Sequence, residues 1–454
     1  MKSYIKCIIA VLAAITGISA NAAFTYNPND NTLTGGGWTF TVTRDNNITD
    51  ELRVVGTNGS FDKEAGECKI DLTTITDSDG NFYKAVSFSG VPADGAELTE
   101  FIAPECKQIS SFEGKSKLKK VELNPLVSYF PQKAFKDCAA LEEFSPRNLK
   151  VESIEANCFS GCSSLGGEFI LEECTSLGIS AFSGCKKITS VKIPKVTSIG
   201  TSAFSSCSSL ETVITSEALK KIPMAAFSGC ESLSGDSIRK MLHSGITHLG
   251  DTYAKFGQFS GCSNFDGELI WNFPSLASTN IVGQDTFYNC IKLEKVIFKT
   301  PVLKTFKYAL VNLAPGAEIY FHDTPPVTIM AQSIGNISEP FSKVYLNEKN
   351  MIEGLAKIAE GYHVLLKKDF NNSKWTDYAN KSLRTRDQLV EFYMKRDTSM
   401  CQYDEEKKEV ELSCPEQREV IAFCVPRVSG AFQTNWPAFW LMKTPKRGFS
   451  VIVR

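Results

Sequence analysis

Histidine is nearly missing from this chain: His243, His248, His322 and His363 are the four in 454 residues. Imidazole is the commonest metal ligand and the usual general base, so chemistry resting on histidine clusters has little material here. Charge of one sign is missing too. Forty-nine Lys and Arg against 51 Asp and Glu leave a net charge of −2, without the basic footprint a nucleic-acid binder needs. Downstream of the N-terminus there is no apolar run of about 18 residues, the length that spans a bilayer. No G-x-x-x-x-G-K-[ST], G-x-G-x-x-G or G-x-S-x-G phrase stands in a strand-to-helix context. The glycines of TGGGW at 34–38 precede a strand, with no helix to cradle a phosphate.

The chain does have a recurring phrase: Phe, two small or polar residues, Cys, two more, then an apolar residue. It reads FKDCAAL (135–141), FSGCSSL (159–165), FSGCKKI (182–188), FSSCSSL (204–210), FSGCESL (227–233), FSGCSNF (259–265) and FYNCIKL (287–293). The phenylalanines are 24, 23, 22, 23, 32 and 28 residues apart. Self-similarity at that period marks a solenoid, which presents a long surface rather than enclosing a pocket. In the clearest unit, 188–210, Ile188, Val191 and Ile193 form a core-facing strand that Pro194 ends. Ala203, Phe204, Cys207 and Leu210 follow at helical spacing, predicting one turn of helix on the same inner side. No unit can bury that side alone, so neighbouring units must cover it in a single elongated stack. Worn copies at 111–123 (Lys115 at the Cys position) and 305–313 (Phe306, Ala309) suit terminal rungs.

Residues 1–22 read as a secretory signal: Lys2 and Lys6, an apolar Cys7–Ile18 core, and Ala20-Asn21-Ala22 for cleavage. Residues 23–100 alternate β-formers with polar residues between Asn/Asp/Gly turns and read as a β-rich cap. The repeats run from 101 to 350. Residues 365–454 read as a small α+β or β module, with a helix at 386–396 and strands at 407–414, 419–425 and 449–454. The longest interval holds an insertion, SGDSIRKMLHSG (234–245), predicting a short helix capped by Asp236 or Ser237 and ended by Gly245. Such insertions map to one face, often the binding one. CSSLGGEFI (162–170) and CSNFDGELI (262–270) form a second, overlying pattern that suggests block duplication.

Fourteen cysteines follow Cys7, and an exported chain with an even count invites disulfides. Cys138, Cys162, Cys185, Cys207, Cys230, Cys262 and Cys290 hold one repeat position, so their side chains point the same way and read as a buried column. Cys158 with Cys174, Cys68 with Cys106, and Cys401, Cys414 and Cys424 among themselves remain available for pairing. No catalytic, cofactor or metal site emerges. His243 and His248 lack a third ligand. Asp77-Ser78-Asp79-Gly80-Asn81 reads as a hairpin turn, since Phe88 stands where a calcium loop needs its closing ligand. His363 with a tail cysteine is possible by arithmetic, unsupported by spacing.

The unit Val-x-Ile-Pro-x-Val-Thr-Ser-Ile-Gly-x-x-Ala-Phe-x-x-Cys-x-x-Leu at 191–210 resembles the BspA-type leucine-rich repeat of bacterial surface proteins. The stretch 318–355 resembles that family's terminal rung. The resemblance covers about 250 residues and implies a right-handed solenoid in a secreted or surface-exposed protein that binds host or cell-surface proteins or glycans, with no cofactor. Outward strand positions then nominate Lys120, Glu122, Ser190, Lys192, Thr212, Ile214, Lys295 and Ile297 as partner-binding. Trp436 and Trp440 are either an exposed platform or buried core. The expected function is non-catalytic recognition or adhesion. The alternatives are a structural envelope protein, or a C-terminal enzymatic module targeted by the repeats.

Overall fold

The computed structural model describes residues 23–44, 50–61, 68–91, 97–249, 257–274, 281–300, 304–305, 307–321, 328–347, 351–371, 374–376, 383–385, 395–407, 409–427 and 436–444. The signal at 1–22, Phe306, His322, most of the helix expected at 386–396 and the strand expected at 449–454 lie outside them. The described chain is β-rich, with two α-helices, Gly235–Met241 (α1) and Met351–Gly361 (α2). It divides into two compact units, Met1–Lys195 and Val196–Arg454.

The first unit opens on an antiparallel meander of Phe24–Asn27, Thr32–Gly35, Trp38–Arg44 and Glu51–Phe61. Ile75–Thr76 and Phe82–Phe88 extend this sheet, and Phe82–Phe88 also pairs with Glu51–Phe61, so it closes on itself. Phe24, Trp38, Phe40 and Phe88 fill its interior. Stacked coils follow. Lys69–Asp71, Glu100–Ala103, Lys120–Leu123 and Glu143–Ser145 form one parallel ladder. Gly166–Ile170 and Lys187–Lys192 form another pairing.

In the second unit the strands Gly267–Trp271, Leu293–Phe298, Glu318–Phe321 and Ser342–Leu346 repeat this parallel stacking. The sheet does not stop where the repeats end. Phe439–Lys443 pairs parallel to Ser342–Leu346, then Val420–Pro426 and Tyr362–Leu366 continue it antiparallel. The hydrogen-bonded sheet crosses residue 365, where the sequence places the start of the C-terminal module.

The repeat phrase is not helical. Ala203, Ser205, Cys207 and Leu210 donate their N–H groups three residues back, to Gly200, Ser202, Phe204 and Cys207, at 3.0–3.2 Å. Ser202 and Ser206 have φ of 56° and 61°, which breaks any α-turn and makes a run of linked β-turns. The residue two after each Phe keeps a positive φ: Gly161 at 77°, Gly184 at 78°, Gly229 at 73° and Gly261 at 74°. Glycine recurs there because an L side chain strains that conformation. The expected inner surface survives this change of geometry, since Ala203, Phe204, Cys207 and Leu210 are all fully buried.

Two columns explain the phrase. The phenylalanine rings stack nearly parallel: Phe112 on Phe135, Phe135 on Phe159 and Phe159 on Phe182 at 5.3–5.4 Å. In the second unit Phe204, Phe227, Phe259 and Phe287 stack among themselves at 5.4–5.9 Å. Beside them six of the seven repeat thiols reach back one coil to the phenylalanine carbonyl. Cys138 donates to Phe112, Cys162 to Phe135, Cys185 to Phe159, Cys230 to Phe204, Cys262 to Phe227 and Cys290 to Phe259, at 3.0–3.3 Å. Cysteine suits the place as a small hydrophobe that can still donate a weak hydrogen bond.

The two variant phrases have a structural meaning. Gly166–Ile170 and Gly267–Trp271 both carry a register shift, at Gly167/Glu168 and Gly267/Glu268. Gly167 and Gly267 take φ of 81° and 69° there. A glycine bulge lets the strand start directly after the turns and pair over a longer stretch.

Candidate recognition surface

The outward rows of these strands are built by the register itself. In the first unit Lys69, Glu100, Lys120 and Glu143 stand side by side on successive strands. Lys69 lies 3.0 Å from Glu100 and Lys120 lies 3.9 Å from Glu143. Further along, Lys192 meets Glu168 at 2.8 Å, and the Ser190 hydroxyl donates to the same carboxylate at 3.3 Å. The Lys192 bond holds Glu168 below the usual carboxylate range. Lys120, Glu122, Ser190 and Lys192 are half-buried, above a buried Val121, Leu123 and Val191. The nominated residues of this unit therefore form a polar, self-neutralised surface fixed from below. Such exposed pairs add little stability.

The second unit treats its nominated positions differently. Thr212 is half-buried and Ile214 is 44% exposed. Lys295 sits 3.5 Å from Glu318 and lies over the Tyr320 ring at 4.9 Å. Ile297, nominated as outward and available, is 4% exposed, which removes it from any partner surface. Its outward face is covered: Ile297, Tyr320 and Tyr345 pack with Phe370, Met400, Val410, Phe423 and Trp440 of the C-terminal residues. Trp436 and Trp440 are 4% and 0% exposed, so they are core and offer no platform. Trp440 donates its indole N–H to Asp397 at 2.9 Å, and the same carboxylate oxygen accepts the Phe341 N–H at 3.1 Å. Arg396 makes two 3.0 Å bonds to Glu339 beside them.

The other candidates resolve locally. The fourteen cysteines from Cys68 to Cys424 are thiols, so none of the pairings left open for Cys158 with Cys174, Cys68 with Cys106 and the three tail cysteines forms. Burial pushes Cys401 up to about 12 and Cys424 well above its ordinary range, the opposite of an activated nucleophile. His243 accepts from the Gly245 N–H at 3.1 Å and bonds the Leu219 carbonyl at 3.0 Å, so both ring nitrogens serve the backbone. Among the described residues no group of three His, Cys, Asp or Glu could hold a metal ion. Asp77 ties a turn between Ile75–Thr76 and Phe82–Phe88. Its carboxylate accepts from Asp79 N, Asn81 N, Asn81 Nδ2 and the Tyr83 hydroxyl at 2.8–3.0 Å. The Asn81 side chain leads in holding it down at about 2. A carboxylate ringed by donors does not present itself to a cation.

Helix α1 starts two residues earlier than the nearer predicted cap: Ser234 caps it by accepting the Ser237 N–H at 3.3 Å. Asp236 instead pairs with Arg239 at 2.9 Å, and the helix ends at Met241 rather than Gly245. Beside α1, Glu231, Asn264 and Ile291 line a furrow that the strand-face reasoning missed. The available signal was the variation at the two positions following each repeat cysteine.

Comparison with known proteins places the repeats. The model of the BspA type leucine rich repeat region matches six copies, over residues 95–194, 168–250 and 246–359. No curated protein matches the chain. Among solved structures, a leucine rich cell surface protein from Faecalibacterium prausnitzii is 18% identical, covering 71% of this chain and 96% of its own, with a TM-score of 0.35. The leucine rich repeat protein of T. pallidum is 20% identical, covering 56% and 87%, with a TM-score of 0.31. One from Bacteroides ovatus is 18% identical, covering 69% and 94%, also at 0.31.

Proposed function

Because this chain belongs to the BspA-type leucine-rich repeat family, which matches more than half its length, we propose that it is an exported recognition protein working through its repeat surface. The partner is a host or cell-surface protein or glycan, and the protein performs no catalysis of its own. The observation that carries this reading is the outward ladder of the first unit. Lys120, Glu122, Ser190 and Lys192 stand half-buried on strands whose alternate residues are locked in the core. A surface held that rigidly loses little entropy on binding, so modest contacts repeated along it can sum to useful affinity. The winding is right-handed, the closed N-terminal sheet serves as the cap, and the C-terminal residues cover the last coils. The leader at 1–22 sends the chain out of the cytoplasm to be secreted or surface-displayed.

The test is capture by the full mature chain of immobilised matrix proteins and surface glycans, read by biolayer interferometry. Lys120→Glu with Lys192→Glu, which reverses charge without touching the core, is expected to weaken capture at least tenfold. Capture of nothing, or capture indifferent to the reversal, would refute the strand-face reading.

A further inference from the structure

The 235–241 helix is tied to the strands 212–214 and 267–271, Ser237 accepting the Val213 N–H at 3.3 Å and Arg239 donating to the Glu268 carbonyl at 3.2 Å, and beside it opens a furrow of 560 Å³, within the range of about 300–1,000 Å³ typical of ligand sites. Its floor comes from the pair of residues following each repeat cysteine: Glu231 and Ser232, Ser263 and Asn264, then Ile291 and Lys292. The furrow thus runs across three coils, a span of roughly 10 Å at the usual strand spacing, and Glu211 extends it by one more.

The floor is tied together coil to coil. Asn264 donates its Nδ2 to the Ser232 carbonyl at 3.2 Å and accepts from Lys292 Nζ at 2.8 Å. Ser263 donates its hydroxyl to the Glu231 carbonyl at 3.1 Å, and Ser234 its N–H to the Glu211 carbonyl at 3.0 Å. Among the described residues no hydrogen bond or ion pair engages the Glu211 and Glu231 carboxylates, whereas Glu100, Glu143, Glu168 and Glu318 each face a lysine. The ammonium in the furrow, Lys292, is already committed to Asn264. What the furrow offers a ligand is carboxylate acceptors, hydroxyls that donate and accept, and the 52% exposed Ile291 as an apolar patch.

We infer that this furrow binds a linear neutral oligosaccharide, a reading that rests on the recognition role proposed above. Adjacent sugar hydroxyls donate to both oxygens of a carboxylate, the serines and Thr212 complete the remaining bonds, and the C–H face of a ring covers Ile291. A chain of sugar units laid along the furrow meets Glu231 and Ser232, then Ser263 and Asn264, then Ile291 and Lys292 on successive coils.

The experiment is isothermal titration of the full mature chain with maltohexaose, cellohexaose, mannohexaose and xylohexaose, and with hexalysine as the basic-peptide probe. At least one hexasaccharide is expected to bind. Glu231→Gln and, separately, the surface change Ile291→Ala are expected to weaken it at least tenfold, and Tyr129→Ser, at an exposed site outside the furrow, to leave it unchanged. Binding of hexalysine alone, binding of none of the five, or saccharide binding that survives both furrow variants overturns the assignment. Should the chain still capture a matrix protein while refusing every sugar, the furrow assignment falls and the recognition reading stands.

Discussion

The buried thiol column can be tested by how slowly it reacts. An ordinary thiol here titrates at 9.0, and burial pushes Cys138 up to about 12. At pH 8 that lowers its thiolate fraction about 1,000-fold, from about a tenth to about one in ten thousand, and the thiolate is the reacting species. Cys106 is raised equally and Cys174 to about 11, and burial also raises Cys162, Cys230 and Cys262 well above their ordinary value. Access adds to this, because a reagent reaches Cys162 only when coils separate. Cys68 is half-buried and stands apart from the other thirteen. Iodoacetamide labelling of the native protein, read peptide by peptide by mass spectrometry, should therefore modify Cys68 quickly and the others only in denaturant. Labelling of several repeat cysteines at the rate of Cys68 would refute the column. So would an intact mass that rises on reduction, since it would mean bridges in place of thiols.

Phe159→Ala removes a ring stacked on both sides and should cost about 3–5 kcal/mol in urea unfolding, while Tyr129→Ser, at an exposed site, should stay within about 0.5 kcal/mol. Gly184→Ala places a side chain at φ of 78° and should cost roughly 1–2 kcal/mol by the same measurement. Asp77 has a folded value of about 2 against an ordinary 3.8, so its contribution is present above 3.8 and lost as pH falls through 2. The melting-temperature gap between the native protein and Asp77→Ala should accordingly narrow between pH 5 and pH 2. Asp397→Ala leaves the Trp440 and Phe341 N–H groups without their shared acceptor and should cost about 2–4 kcal/mol; faster proteolysis between 395 and 427 would report it.

Much of the fold was legible because the phrase carries its own physics. Phe159 and Cys162 recur at a fixed offset since one must stack and the other must reach the previous coil, and both demands are visible as spacing. The backbone between them was not. Apolar positions at i, i+1, i+4 and i+7 cannot tell a helix from linked turns, and the deciding feature is the positive φ at Ser202 and Ser206, two serines that announce nothing. Gly161, Gly184, Gly229 and Gly261 held the clue, because glycine two residues after Phe in four of the seven copies contradicts a helix interior.

The candidate surface was less legible for a different reason. Alternation assigns Ile297 to the outward side, and that assignment is geometrically sound: it sits in register with Tyr320, itself beside Tyr345. Availability is a separate matter, decided by residues some hundred positions away. The outward Lys120 and Lys192 of the first unit are solvated, whereas Ile297, Tyr320 and Tyr345 of the second make an apolar row, and an apolar row on a sheet requires a cover. Phe423 and Trp440 supply it. The same reasoning separates the two outward regions: where the row is charged and self-paired it stays open to solvent, and where it is aromatic the chain has already met itself.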